Sequence, residues 1–330
     1  MSQGPPPPLQ EPTTSSPGPE LATEPAPDPF LTEFPRPQRV IVAGATGFMG
    51  RHVVARLAAR GHAVRALCRT PDPERVPHVA EWWPADVTAP EEVAGAAAEQ
   101  DVVLHLVGVR EGREVTAFRR VHVDGTRTLV EEAVRAGVRR FIYVSVAGAR
   151  PDGSVFFRTK WEGEGEVVRS GLEYLIFRPS IVYGPGDKFT SALAILLKRL
   201  PVFPVLGVGS MRLQPVAVED VTDALVQAVE RPDMGDAVYE LAGPEQLKLT
   251  KIVRLVARAL GLRRPIVQLP RPLAAPALWA VNRLGLPAPL TPAQLDMLCE
   301  ASLLTKADNA LRTVFRVEPM PFRVAVVDYL

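Results

Sequence analysis

The glycine-rich turn at residues 44–50 constrains this chain more than any other segment. An apolar run at 39–43 ends at Gly44, and a helical pattern opens at Gly50. The spacing G-x-x-G-x-x-G suits a strand–turn–helix unit that binds a pyrophosphate. Gly44 permits the tight turn, Gly47 lets the backbone approach the phosphates, and Gly50 allows the helix to contact the strand. The N–H groups that open the helix would face those phosphates, which favours a dinucleotide site over a turn without a ligand. The other side chains of the turn that we expect at the cofactor are Thr46, Phe48 and Met49.

Strand and helix patterns alternate after this turn. Short, nearly continuous apolar runs predict strands, and amphipathic stretches, several of them closed by glycine, predict helices. The predicted strands are 39–43, 63–68, 81–83, 101–106, 140–146, 172–177 and 237–242. The predicted helices are 50–60, 90–99, 115–136, 159–170, 191–200, 218–230 and 251–260. The alternation favours an α/β protein with a doubly wound, parallel, Rossmann-type sheet and a small C-terminal substrate-side lobe.

Three zones follow one another along the chain. Residues 1–37 are rich in proline and are expected to form a disordered tail. Residues 38–180 are predicted to be the dinucleotide-binding Rossmann core. Residues 181–330 would hold the last core elements and the small lobe.

Charge and apolar pattern limit the partners that we expect. The net charge is +1, so no nucleic-acid binding is expected, and the arginine pairs at 119–120, 139–140 and 263–264 are interpreted as solvated surface. No secretory signal opens the chain, which predicts a cytoplasmic protein. The apolar stretch 273–290 is broken by prolines, so we expect at most peripheral membrane contact. The two cysteines, Cys68 and Cys299, fit a reducing compartment, and no ligand spacing suggests a metal site.

Arginines favour NADP over NAD at the end of the second predicted strand. An NAD site usually carries an acid there, whereas this chain has Arg69, and Arg51 follows the third glycine of the turn. An arginine can pair with the 2′-phosphate of NADP, which an acid would repel. Asp72 and Glu74 follow closely and keep NAD open as the alternative.

Asp86 and Val87 follow the third predicted strand. In a Rossmann sheet this position lies over the adenine, so Asp86 is predicted to accept a hydrogen bond from its amino group and Val87 to pack on the ring. The alternative is an aspartate that only caps a turn.

Several motifs in a fixed order carry a resemblance to a known family. They are GATGFMG at 44–50, DV at 86–87, LHLVG at 104–108, VHVDGT at 121–126, FIYVS at 141–145, Lys160, RPS at 178–180, YGPG at 183–186 and PVAVEDV at 215–221. With this set, which covers about residues 39–262, the chain resembles the extended and atypical short-chain dehydrogenases/reductases. Within them it is similar to the branch of the nucleotide-binding accessory subunit of respiratory complex I and its bacterial relatives. The segment LTPAQLDML at 290–298 and Asp308-Asn309 add to that similarity.

The resemblance implies where the nicotinamide half of the cofactor would bind. Gly108 and its neighbours Leu106 and Val107 would line the cofactor. Lys160 would bond the nicotinamide ribose, and Pro179 would lie beside the carboxamide.

The family's catalytic tyrosine is missing from this chain. It stands four residues before the lysine, where this sequence has Phe156, while Ser145 maps by position onto the catalytic serine and His122 onto an upstream asparagine. Phenylalanine cannot deliver a proton to a developing alkoxide, and such assistance is worth roughly 10²–10⁴-fold in rate. Ordinary carbonyl reduction should therefore be strongly impaired. Tyr183 is one candidate for a substitute donor, beside His122, Ser145 and a bound water.

Two functions remain open at this stage. The first is a protein that holds NADP(H) or NAD(H) for a structural, assembly or redox-sensing role, with a protein complex as partner. The second is an active NAD(P)H-dependent oxidoreductase or epimerase that acts on an apolar carbonyl or quinone-like molecule through an unusual proton donor.

Overall fold

The computed structural model describes residues 36–109, 115–206, 211–269, 283 and 309–330. Most of the predicted tail and of the apolar stretch 273–290 lie outside the described residues. So do the late motif at 290–298, Cys299 and Asp308.

Seven parallel strands form the central sheet of the described chain. Together with six short strands that pair outside this sheet, the strands of the described residues are β1 Arg39–Ala43, β2 Ala63–Cys68, β3 Glu81–Pro84, β4 Val102–His105, β5 Arg140–Val144, β6 Glu173–Pro179, β7 Val182–Tyr183, β8 Phe203–Leu206, β9 Arg212–Leu213, β10 Val216–Ala217, β11 Ala237–Leu241, β12 Leu247–Lys248 and β13 Ile266–Leu269. The order across the large sheet is β11-β6-β5-β4-β1-β2-β3. Because the chain runs outward in both directions from β1 and β4, the crevice at the carboxyl ends of these two strands is the point where such folds bind ligands.

Helices cover both faces of this sheet, as the alternating pattern predicts. The helices are α1 Phe48–Ala59, α2 Pro90–Val93, α3 Val115–Arg119, α4 Gly125–Ala136, α5 Val155–Val168, α6 Lys188–Arg199, α7 Val218–Glu230, α8 Leu249–Ala259, α9 Ala310–Thr313 and α10 Phe322–Tyr329. Helices α1 and α7 share one buried apolar cluster with the sheet, and α4 and α5 contribute to the cluster on the opposite face. The doubly wound Rossmann-type architecture is confirmed.

The helix predicted at 115–136 contains one π-helical segment. Residues Arg120–Asp124 form this segment between α3 and α4, and His122 lies within it. Helix α5 packs against it at Gly163, where an added Cβ would lie 2.3 Å from the His122 carbonyl oxygen. Such wide helical turns are rare in proteins overall, and those that occur are frequently found at functional sites.

Two predictions about local structure were wrong. The helix predicted at 90–99 ends at Val93, because Gly95 and Glu99 both adopt positive φ values, +84° and +59°. Arg140, interpreted from sequence as solvated, is fully buried. Its guanidinium donates to the carbonyl oxygens of Ala228, Arg231 and Met234 and pairs with Glu173, so it ties β5 to the end of α7.

A third apolar cluster joins α6, α8 and α10 with the short strands β8 and β9. We call the described residues 188–206, 211–217, 245–269 and 320–330 the C-terminal lobe. The chain crosses into part of this lobe before it returns to the sheet, since β11 pairs with β6 only at Ala237–Leu241. Phe315 then packs against Tyr239 of β11 and Phe177 of β6.

Candidate functional site

The turn between β1 and α1 has the geometry that its three glycines predict. Gly44 has a φ of +88°, and its N–H donates to the Leu67 carbonyl at 2.9 Å. Gly47 is exposed and precedes α1 in an extended conformation, and no side chain caps the helix. A Cβ at Gly50 would lie 2.2 Å from the Gly44 carbonyl oxygen, so only glycine allows this approach of helix and turn. The uncapped helix start suits an anion such as a pyrophosphate.

The segment after β4 lies directly against this turn. Leu106 N–H donates to the Ala43 carbonyl at 2.9 Å. The Val107 nitrogen is 3.2 Å from where a Gly44 Cβ would stand, and Gly108 is exposed. The position of a Cβ at Gly108 is 3.8 Å from Lys160 Nζ. The structure thus brings together the glycine turn, the 106–108 segment and the lysine that the sequence predicted as parts of one site.

Other residues of the turn serve packing as well as the site. Phe48 and Met49 are half-buried and pack on the cluster beneath α1. Burial raises the pKa of the Cys68 thiol, although the Thr70 backbone and the Thr46 side chain act to lower it.

Arginines surround the end of β2. Arg69 is exposed, and burial together with the nearby positive charge of Arg75 lowers the pKa of Arg51. The carboxylate of Asp72, one of the two acids that keep NAD open, accepts from the Arg75 backbone N–H at 3.1 Å. Arg51 itself donates to the Pro185 carbonyl. Arg75 was not predicted from the sequence, because six residues separate it from the end of β2.

Asp86 is bound locally in this structure. Its Oδ1 accepts from the Thr88 backbone N–H at 2.9 Å and from the Thr88 hydroxyl at 2.8 Å. Burial alone would raise the pKa of Asp86, but these bonds and the charges of Arg69 and Arg120 lower it. Val87 is buried, and a Cβ added at Gly125 would lie only 2.8 Å from its Cγ2. The adenine contacts of both residues stay predictions.

Lys160 is the buried cation of the site. The residue is 4% exposed, and its ammonium donates to the Val144 carbonyl at 2.8 Å and lies 4.4 Å from the centre of the Tyr143 ring. Ser145 follows β5, and its buried Oγ has no hydrogen-bond partner within the described chain. An orphaned buried hydroxyl is costly unless a ligand or water completes it. Pro179 is also buried.

His122 is held neutral beneath the Gly108 segment. Its Nε2 accepts from the Val109 backbone N–H at 3.0 Å, and its Nδ1 lies 2.9 Å from Thr159 Oγ1. The first bond requires an unprotonated Nε2, so the neutral ring carries its proton on Nδ1. Burial and the Lys160 charge lower the pKa of His122 to about 3. The imidazole therefore positions the segment over the site and is a poor proton donor at neutral pH. Thr159 was missed because its spacing from His122 carries no sequence signal.

Phe156, which the sequence predicts to stand at the tyrosine position, lies in a group of aromatic rings. Its ring meets those of Phe118, His122 and Phe157 edge to face, with centroids 6.3, 5.6 and 5.3 Å away. These contacts hold the ring by its edges and leave it half-buried.

The structure does not support Tyr183 as a substitute donor. The ring is 0% exposed and packs edge to face on Phe322, with centroids 4.8 Å apart. Its hydroxyl donates to the Met320 carbonyl at 3.1 Å, and burial raises its pKa far above the usual range. Tyr183 therefore anchors α10 and does not serve proton transfer.

Neither a metal site nor a membrane span is found in the described ranges. No group of three or more His, Cys, Asp or Glu side chains there is placed to hold a metal ion. Every helix in those ranges is too short or too polar to cross a bilayer.

Comparisons with known proteins agree with this geometry. A family model described as NAD(P)H-binding matches residues 44–232. Ceramide reductase of Caulobacter vibrioides is 34% identical over 241 residues, which cover 71% of this chain and 74% of that protein. The mitochondrial NADH-ubiquinone oxidoreductase 40 kDa subunit of Neurospora crassa is 31% identical over 256 residues, which cover 73% of this chain and 65% of that subunit. UDP-glucose 4-epimerase of Thermotoga maritima shares the fold with a TM-score of 0.71 at 18% identity, over 88% of this chain and 97% of the epimerase.

Proposed function

The chain belongs to the NAD(P)H-binding family within the extended short-chain dehydrogenases/reductases, and we propose that it binds NADP(H) without ordinary carbonyl reduction. Its role would be structural, in assembly or in redox sensing. The observation that carries the proposal is Phe156 at the tyrosine position beside an intact glycine turn and Lys160. The similarity to a subunit of NADH-ubiquinone oxidoreductase supports it.

The residues present fit a dinucleotide. The exposed Gly47 and the uncapped start of α1 would hold the pyrophosphate. Lys160 would bond the nicotinamide ribose, and the orphaned Ser145 Oγ offers a polar contact beside it. The bound nicotinamide would supply a hydride, but the chain would have to supply the proton.

Neither His122, Tyr183 nor Phe156 is suited to give that proton at neutral pH. His122 is neutral because its pKa is lowered to about 3, and the Tyr183 hydroxyl is buried against Met320. Phe156 has no hydroxyl. We therefore expect tight binding with little turnover.

Fluorescence titration with NADPH, combined with NADPH consumption in the presence of a carbonyl and quinone panel, tests this function. Saturable binding without consumption is the expected result. If the purified full chain binds neither NADPH nor NADH, the proposal fails.

The preference for NADP rests on the positive charges of Arg51, Arg69 and Arg75. Charge-assisted bonds to a phosphate are worth roughly 1.5–3 kcal/mol. Arg75→Gln should therefore weaken NADPH binding about ten- to hundred-fold and leave NADH binding nearly unchanged. Arg56→Gln is the matched control, because Arg56 lies on α1 but pairs with Asp223 at 2.6 Å. Equal losses for NADPH and NADH in Arg75→Gln would show that the side chain does not read the 2′-phosphate.

A second candidate function is an NAD(P)H-dependent reductase of an apolar carbonyl. The buried and unpartnered Ser145 Oγ favours it, because a substrate oxygen would complete that hydroxyl. The 34% identity to a protein named ceramide reductase supports it as well. Steady NADPH consumption with a long-chain ketone, lost in Ser145→Ala while NADPH binding persists, would establish this function in place of the first.

A protein-complex partner and a cytoplasmic location complete the proposal. The likeness to a subunit of NADH-ubiquinone oxidoreductase supports the partner. Cross-linking of the tagged full chain in cells, followed by fractionation, tests both parts. Recovery of the chain only as an uncomplexed monomer would contradict the partner.

A further inference from the structure

The C-terminal lobe carries a strong positive charge that the whole-chain balance hides. Its described residues include eleven basic side chains and only two acidic ones, Glu245 and Asp328, although the net charge of the chain is +1. The basic residues are Lys188, Lys198, Arg199, Arg212, Lys248, Lys251, Arg254, Arg258, Arg263, Arg264 and Arg323. The remainder of the chain therefore carries a net negative charge. The expectation that the chain has no basic field holds for its total charge but not for this lobe.

The same lobe exposes apolar side chains. Six of the ten large hydrophobic residues that are exposed in the described chain belong to it. They are Ile195, Val202, Val267, Met320, Val324 and Val327. Val324 and Val327 are 49% and 59% exposed, on the last turns of the described chain.

Basic and apolar residues lie on neighbouring helices. Helix α8 packs between α6 and α10. Its outer face presents Lys251, Arg254 and Arg258, while its inner face is buried. A cleft of about 650 Å³ runs between α8 and α10, with Leu255 and Val324 among its apolar residues and Lys251 and Arg258 among its basic ones.

We propose that the outer faces of α6, α8 and α10 form a docking surface for an anionic phospholipid bilayer. Lys and Arg side chains attract the negative headgroups, at roughly five-fold in binding for each residue near the surface. Exposed valines, isoleucine and methionine gain by insertion among the acyl chains just below the headgroups. A nucleic acid would satisfy the basic side chains but offers no apolar phase to Val324 and Val327. The combination of both residue classes on one face is what selects a membrane.

Vesicle flotation of the full chain tests this inference. The probes are vesicles of phosphatidylcholine alone and vesicles of equal parts phosphatidylcholine and phosphatidylglycerol, at low and high salt. The wild-type chain should float with the anionic vesicles at low salt and lose binding as salt screens the charges. Lys251→Glu/Arg258→Glu should weaken binding by at least about 25-fold, and Val324→Ser/Val327→Ser should also weaken it.

Matched variants separate the surface from general effects of charge and polarity. Arg36→Glu/Arg139→Glu makes the same charge change at exposed residues outside the lobe. Val134→Ser/Val168→Ser changes two valines that are each 48% exposed on α4 and α5. Both controls should bind anionic vesicles as the wild-type chain does. NADPH titration of every variant reports folding and shows separately whether the proposed nucleotide site persists.

The inference is overturned if the wild-type chain binds neither kind of vesicle, or binds both equally. It is also overturned if a fluorescent DNA duplex is bound while the vesicles are not. Equal losses in the lobe variants and in their matched controls would overturn it as well.

Discussion

The protonation state of His122 leads to a quantitative prediction about pH. The ring is 0% exposed, and its pKa is lowered from 6.5 to about 3 in the folded chain. When the pH is below 6.5, the pKa of His122 in the unfolded chain, the unfolded chain takes up a proton that the folded chain does not. Stability present above that value is therefore lost as pH falls toward the folded pKa. Between pH 7 and pH 5 this one group should remove about 2 kcal/mol from the free energy of unfolding.

The variant His122→Asn isolates this contribution. It should lower stability at neutral pH, because the shorter asparagine side chain leaves the Nε2 position empty and the Val109 N–H loses that acceptor. On acidification it should lose about 2 kcal/mol less than the wild-type chain. His105 is also buried with a lowered pKa. Because it is present in both proteins, its contribution to the pH dependence of stability cancels when they are compared. His78→Asn is a matched control, since His78 is exposed and has a φ of +69°, a conformation that asparagine tolerates.

Urea unfolding followed by tryptophan fluorescence at the two pH values measures the difference. Nitrogen NMR of labelled imidazoles should show His122 neutral, with its proton on Nδ1, down to pH 5. The reasoning fails if His122 titrates near pH 6.5, or if the wild-type chain and His122→Asn lose the same stability on acidification.

Three further predictions follow from the contacts described above. Gly50→Ala should destabilise the fold by about 1–3 kcal/mol and weaken NADPH binding, because its Cβ would lie 2.2 Å from the Gly44 carbonyl oxygen. The control Gly235→Ala, with nothing within 4 Å of the added Cβ, should be nearly neutral in thermal unfolding, and equal effects of the two variants would contradict the turn geometry. Phe156→Tyr should raise NADPH-dependent reduction of a carbonyl panel by roughly 10²–10⁴-fold with nucleotide affinity unchanged, and no gain in the absorbance assay would mean that more than the hydroxyl is missing. Arg140→Met should lower stability by about 3 kcal/mol or more, since three buried carbonyl groups lose their donor, and an unchanged melting temperature would refute that role.

The sheet and the glycine turn could be predicted because their signals lie within short stretches of the sequence. The strands are nearly continuous apolar runs, which only a sheet covered on both faces accommodates. Gly44 and Gly50 stand where a side chain would be strained or would clash. Strand β11 was also found from its sequence, although its place beside β6 depends on pairing over a long separation.

The features that sequence reasoning missed depend on distant partners. Arg140 looks like any surface arginine until the carbonyls at the end of α7 reach it. Tyr183 follows a strand as a donor would, but α10 covers it from the other end of the chain. The π-helical segment has no local signature, and its close contact with α5 depends on Gly163, which lies more than forty positions beyond His122 and whose missing side chain leaves room for the His122 carbonyl. The charge of the C-terminal lobe is visible in the sequence only after the fold has shown which residues share a surface.

The late arrival of β11 affects how the chain folds as it is made. Strand β6 is an open edge until residues 237–241 leave the ribosome, by which time α6 and α7 have been synthesised. An unpaired edge of this kind invites pairing with other nascent chains. We expect a fragment that stops at residue 180 to aggregate and one that ends after Phe315 to remain monomeric, so completion of the nucleotide domain is timed by a segment far downstream of its own binding loop.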